Sequence, residues 1–436
     1  MRGLRSTLIL LVVLAGLVGY IYYDSKKPAA STDTKQKAFS GVTADAIEEL
    51  QIKAADGETS RVQKTGDQWK LADPVNADAD SNEVSSVTTS LASLDINRVV
   101  DENPSNLKEY GLDPPRVEVS FRAKGQKDFK KLLVGERTPT GNDLYAKLPN
   151  EKRVFLVNSF NDSTFNKNTF ALREKKILKI DREKVDGLEV SDGTTSFQFT
   201  KSGTDWKMVK PIMARAEFGQ IEGIVERLST AQMQALTADS TDDLKKYGLD
   251  KPTATMTLSL GGMKTTLTLG KTENAVVFAK DSTRPAIFTV APTIKTDVIK
   301  TLSDYRRKDM FDGRSFNANK VEIHRGAEII TLEKTTKDGK DTWKKADGKD
   351  ADTSKVEDLL GKLTALRAQS FESTSNAALK SPAMVVTVTY DKTKMETVTF
   401  GKAGNDVFGA RGDETGTAKL ETTPFDDAMK AVDGVK

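Results

Sequence analysis

The sequence predicts an α+β chain of three tandem modules, each a mostly antiparallel sheet with covering helices, preceded by one N-terminal transmembrane helix. Three observations predict it. The three tryptophans, Trp69, Trp206 and Trp343, lie 137 residues apart, and a fixed period of that kind marks a repeated structural unit. Alternating apolar runs followed by a helical apolar pattern recur around each of them. Near the start, Thr7 to Tyr23 forms an uncharged run of 17 residues.

That run is long enough, at the short end, to cross a bilayer as a helix. Arg2 and Arg5 precede it, and Asp24 with Lys26-Lys27 ends it. A cleaved signal peptide is the alternative, with an apolar region of roughly 7–15 residues before a small-x-small site. The longer run here, closing on Tyr20-Ile21-Tyr22-Tyr23, suits an uncleaved anchor, because aromatic rings settle at the headgroup level. The expected organisation is an anchor over 1–24, a flexible tether over 25–44 rich in Pro, Ser, Thr and Lys, and modules over 45–178, 179–313 and 314–436, the last divergent. With no further apolar span, the N-terminus is expected in the cytoplasm and the body in the periplasm or another extracytoplasmic space.

Each module opens on an expected hairpin. Leu50-Gln51-Ile52, Leu188-Glu189-Val190 and Val321-Glu322-Ile323 alternate with period 2, and Gly57, Gly193 and Gly326 follow as turn residues. The Trp strand comes next: DQWKLADP at 67–74, TDWKMVKP at 204–211, DTWKKADG at 341–348. A helix then places Val84, Val87, Leu91 and Leu94 on one face, with Ile221, Ile224, Leu228, Ala231 and Val356, Leu359, Leu363, Leu366 as counterparts. LKEYGLDPP at 107–115 and LKKYGLDKP at 244–252 read as a helical turn stopped by a left-handed glycine, which the third module (ALKSP, 378–382) lacks. Strand pairs follow at 117–121 with 131–134, 255–260 with 265–269, and 385–390 with 397–400. Each pair is expected to end in a turn at Gly135, Gly270 or Gly401. Basic helices are expected at LREKKI (172–177) and YRRKDMF (305–311).

Composition narrows the function. With 66 Lys+Arg against 63 Asp+Glu, and the longest basic clusters only Lys130-Lys131 and Arg306-Arg307-Lys308, read as solvated turns and helix ends, no nucleic-acid footprint is present. The absence of cysteine excludes disulfides, thiolate metal sites, cysteine nucleophiles and a lipidated N-terminal cysteine.

The anchor, the WKLADP and WKMVKP segments, the YGLDPP and YGLDKP turns and the LLVGE and LTLGK strand ends together resemble the bacterial family catalogued as domain of unknown function 4340. The resemblance covers 45 to about 313 well and 314–436 weakly. It implies membrane attachment and no established activity. It also implies a protein partner, because such proteins are often encoded beside ABC-type exporters, including ones resembling the gliding-motility auxiliary system.

Candidate chemistry gives way to structural roles when the modules are compared. His324, the single histidine, has Lys53 and Ser191 as counterparts and reads as a solvated strand residue. Ser105-x-x-Lys108 resembles an acyl-transfer pair, but its counterpart starts with Asp242, so Ser105 reads as a helix cap. Gly270-Lys271-Thr272 lacks the upstream glycine of a phosphate loop, where Thr265 stands. Asp78, Asp80 and Asn82 lack the glycine and final glutamate of a calcium loop and read as helix-start residues. Arg411-Gly412-Asp413 reads as a turn, and the tryptophans as core. The reading is therefore no catalytic, cofactor or metal residues and no cofactor: a non-enzymatic scaffold or binding auxiliary of an ABC-type envelope complex, its ligand unspecified. The alternatives are an envelope polysaccharide hydrolase or a small-ligand or glycan-binding protein.

Overall fold

A computed structural model describes residues 36–240, 243–337 and 339–436. The expected span Thr7–Tyr23 lies outside these residues. No helix among the described residues is long and apolar enough to cross a membrane. The described chain forms two compact units, one ending at Glu174 and one spanning Lys175–Lys436.

In the first unit the strands are β1 (Ile47–Lys53), β2 (Thr59–Thr65), β3 (Gln68–Asp73), β4 (Ala77–Asp78), β5 (Arg98–Asp101), β6 (Val117–Ala123), β7 (Lys130–Arg137), β8 (Asp143–Lys147) and β9 (Val154–Asn158). They make one sheet in the order β4-β3-β2-β1-β6-β7-β8-β9-β5, and its pairings are antiparallel. The connection between the two edge strands, β4 and β5, carries helix α1 (Ser81–Ser93). Its Val84, Val87 and Leu91 share one core with Leu50, Ile52, Val62, Trp69, Leu71, Val119 and Phe121 of the sheet. Each such fully buried aliphatic side chain contributes about 1.5–3 kcal/mol.

The second unit holds two more nine-stranded sheets with the same order, one from Gly187–Ser191 to Ile287–Val290, the other from Ala318–Arg325 to Thr417–Leu420. Their covering helices are α2 (Phe218–Thr230) and α3 (Thr353–Thr364); the chain closes with α4 (Thr422–Gly434). The mostly antiparallel α+β reading, the helix faces and the tryptophan burial all hold, with Trp69, Trp206 and Trp343 at 8, 2 and 0% exposure. Asp80 caps α1 by accepting from the amides of Asn82 (2.9 Å) and Glu83 (3.3 Å), and Asp352 caps α3 in the same way.

Three local expectations are corrected. The basic segments are not helices: short helices end at Leu172 and Tyr305, and extended chain follows. It pairs first backward, with the Glu217 amide donating to the Tyr305 carbonyl and Arg307 to Arg215. It then pairs forward, with Met310 donating to Leu366 and Ala368 to Lys308. Residues that alternate between two pairing partners cannot also close helical turns. Second, the tether does not extend to 44. Ala38 donates to Leu94, and Ile96 to Gln36, the bonds that Ile177 and Met233 make in the second module and Met310 and Ala368 in the third. Phe39 is buried edge-on against Phe121, centroids 4.9 Å apart. Third, Gly135, Gly270 and Gly401 end no strand, since each lies inside a strand that continues beyond it. They are there because a carbonyl of the preceding 3-10 turn packs against them: a Cβ would lie 2.0 Å from the Tyr110 oxygen, 2.2 Å from that of Tyr247 and 2.2 Å from that of Ala378. The YGLD turns themselves stop as expected, with Gly111 and Gly248 at φ +64° and +69°.

One buried charge in the first module gives a pH prediction. Glu49, 2% exposed, accepts from Arg61 at 2.5 Å, Gln63 at 3.1 Å and Arg122. Burial alone would raise its pKa, but these donors outweigh burial and hold it below its ordinary value of 4.5. A depressed carboxylate stabilises the fold above the unfolded pKa and loses that contribution as pH falls through the folded one. The urea-denaturation difference between the native chain and Glu49→Gln is therefore expected to be full at neutral pH and to shrink as pH drops below about 4.5. A difference that grows with acidity contradicts the assignment.

Candidate functional site

Within the second unit, an open cleft of about 610 Å³ lies between the second and third sheets. Trp206, Arg215, Glu217 and Phe218 line it from the second module; Arg367, Tyr390, Asp391, Lys394 and Asp413 line it from the third. Arg307, Asp309 and Asp312 reach it from the extended segment between them.

Beneath the cleft the charges close into a network. Arg215 donates to Glu414 (2.6 Å), to Asp312 (2.5 Å) and to the Asp309 carbonyl (2.5 Å). Arg306 donates to the other oxygen of Glu414 at 2.7 Å and stacks 4.2 Å from the Phe371 ring centroid. Arg411 donates to Glu396 (2.6 Å), Asp413 (2.9 Å) and the Met310 carbonyl (2.8 Å). Glu396 also accepts the amides of Asp312 and Gly313, each at 2.8 Å at its closest. The side chains of Arg306, Glu414, Arg411 and Glu396 are 2–4% exposed. The Thr415 amide donates to the Met213 carbonyl, and the Met213 amide donates to the Thr415 hydroxyl, which completes the junction.

Electrostatics follow from the pairing. Burial opposes charge on Arg411, yet its bonds to Asp413 and Glu396 raise its pKa. Burial would likewise raise Asp413, and Arg411 reverses that, leaving it lowered. Lys394 and Asn317 lower Asp391. Burial first, then Asp312 and Glu396, raise the Tyr390 hydroxyl. The cleft carboxylates that shift thus move toward the ionised form, and Tyr390 toward the neutral one.

The network repeats one device. Asp281 and Arg411 occupy the same register position, opposite Leu267 and Val398, and both are buried. Asp281 holds Arg284 at 2.9 Å, and Arg284 donates to the Ile177 carbonyl at 2.8 Å. Arg411 reaches the equivalent Met310 carbonyl directly. A guanidinium thus clamps the entering chain in both modules, delivered from different positions.

Of the residues singled out in the sequence, Trp206, Arg306, Arg307 and the 411–413 tripeptide meet here, and the others do not. His324 is exposed and bonds Glu322 at 2.7 Å. Ser105 does not cap its turn; Asn106 does, accepting from the Lys108 amide at 3.1 Å, as Asn376 accepts from Ala378. Lys271 pairs with Glu273 at 2.7 Å. Asp78 lies 3.8 Å from Lys70. Arg411, expected in a plain turn, is 5% exposed, and Arg306, expected at a solvated helix end, is 2% exposed. Both are drawn in because each finds a buried carboxylate. Arg215, Glu396 and Glu414, which complete the network, had drawn no functional reading. Among the described residues no group of three or more His, Cys, Asp or Glu could hold a metal ion.

A family profile described as "Domain of unknown function (DUF4340)" matches residues 69–217 and 206–384. No curated protein matches. Among solved structures, the chain is similar to a DNA polymerase sliding clamp from Pseudomonas aeruginosa, at 9% identity over 88% of this chain and 93% of that one, with a TM-score of 0.14. It is also similar to a DNA polymerase III beta chain from Streptococcus pneumoniae, at 8% identity over 88% and 94%, with a TM-score of 0.15. Overlap that low carries no argument about fold or function.

Proposed function

The chain belongs to the DUF4340 family, and from that premise we propose that it is a non-enzymatic scaffold of the cell envelope. It is anchored by Thr7–Tyr23 with its modules outside the cytoplasm, and it serves as an auxiliary of an ABC-type membrane complex. The observation that carries this reading is the use made of buried charge in the second unit. Arg215, Arg306, Arg411, Glu396 and Glu414 are spent on each other and on the backbone, so they join two modules. A glycoside hydrolase needs a carboxyl group kept protonated to serve as the acid, whereas Asp413 and Asp391 are pushed the other way. The three modules keep one scaffold and vary equivalent surface positions, as at Lys53, Ser191 and His324, which suits contact with several surfaces of a partner.

The test is affinity purification of the full chain from detergent-solubilised membranes, with mass spectrometry. Enrichment of transporter subunits over an unrelated anchored control is expected. Recovery of the chain alone, under mild and crosslinked conditions, sinks the scaffold reading. A reporter fused after Lys436 that is active only outside the cytoplasm reads the topology separately.

A further inference from the structure

We propose that the turn between β6 and β7 of the first module is a membrane-docking tip that takes an anionic lipid surface. Lys124, Lys127, Phe129 and Lys130 are all exposed there, and Phe129 is 42% exposed with the Arg122 guanidinium 5.5 Å from its ring centroid. Arg122 and Lys131 are engaged by Glu49 and Glu118, whereas Lys124, Lys127 and Lys130 make no ion pair among the described residues, and exposed Asp128 is the one acid of the turn against these three lysines. A protruding apolar side chain ringed by free lysines matches an anionic headgroup layer. The ring enters the interface while the ammonium groups stay at phosphate level.

Two further observations support the assignment. The equivalent turns of the other modules also expose a large apolar residue beside lysine, Met263 at 74% and Met395 at 71%. The tip also lies beside the incoming chain, with the Lys124 amide donating to the Ala46 carbonyl at 2.7 Å. Twelve residues separate Tyr23 from Gln36, a reach of at most about 47 Å. This last point rests on the anchor reading; the charge and exposure of the tip do not. A lone ring on a convex turn offers too little area for a stable protein contact, so lipid is the favoured occupant.

Because the chain has no cysteine, Gln126→Cys gives one labelling site at the tip. The full chain carrying an environment-sensitive fluorophore there is reconstituted into vesicles of phosphatidylcholine alone or of equal parts phosphatidylcholine and phosphatidylglycerol. A blue shift is expected in the anionic vesicles only, lost in high salt, and absent from a control label at Asp347→Cys. At about fivefold in partitioning per lysine, exchanging Lys124, Lys127 and Lys130 together for glutamine is expected to weaken docking about a hundredfold, while Phe129→Ser reduces the blue shift. No shift, or an equal shift in both vesicles, overturns the proposal, as does a shift seen only in native membranes, which would assign the tip to an acidic protein. Retention after alkaline carbonate extraction reads the anchor independently, so a failed anchor and a failed tip give different results.

Discussion

Glu414→Gln is expected to destabilise the second unit by about 3–5 kcal/mol. The two oxygens of Glu414, in the third module, serve two arginines of the second, Arg215 at 2.6 Å and Arg306 at 2.7 Å, and the carboxylate is 4% exposed. Two charges removed from water repay their desolvation only through good mutual geometry, so deleting one partner leaves the others buried and unneutralised. Arg215 keeps Asp312 and suffers less. Among the described residues Arg306 has no second acid, and its Nη1 already lacks an acceptor, so it bears most of the loss. Urea denaturation followed by tryptophan emission measures this. A shift below about 1 kcal/mol would mean that the cluster behaves as an ordinary surface network.

Gly135→Ala is expected to cost the first module about 3 kcal/mol or more. The added methyl would stand 2.0 Å from the Tyr110 carbonyl oxygen and 3.1 Å from Leu112 Cγ. Backbone cannot move aside as a side-chain tip can, so the 3-10 turn must lift off the strand. Gly223→Ala is the matched control: nothing lies within 4 Å of a Cβ there, and alanine in the middle of α2 is expected to stabilise by about 0.5–1 kcal/mol. Outcomes of opposite sign for the two Gly→Ala changes would separate close approach from helix propensity. Similar outcomes would refute the packing account.

Most of the fold was legible because its signals are local. Period-2 alternation placed Leu50 and Ile52 inward, the 3-4-3 spacing found the buried face of α1, and Gly111 marked its own left-handed turn. The connecting segments were misread because LREKKI and YRRKDMF have good helix formers, and propensity loses to pairing partners that are remote in sequence. The buried network was partly legible. Glu396 alternates with Val398 and Phe400, and Arg411 with Gly409 and Val407, so period 2 alone puts both charges on the inward side. What the sequence could not supply was that the two inward charges meet, or that Glu414 reaches across to Arg306. The close approach at Gly135 was equally hidden, because it depends on where a turn some 25 residues earlier lands.

The alternating connector has a consequence for where the chain can be cut. The first pairing residues of the second and third modules are written at the tail of their predecessors: Lys308 and Met310, for instance, bond to Ala368 and Leu366, and Phe311 is fully buried in the third core. The heritable unit seen as a sequence period and the unit that folds are therefore out of phase. A fragment started at residue 314 begins with an unfilled seat in its own sheet, and one started near 307 carries the piece that fills it. Exchanging modules between relatives would succeed only if the donor brings the closing residues of its neighbour.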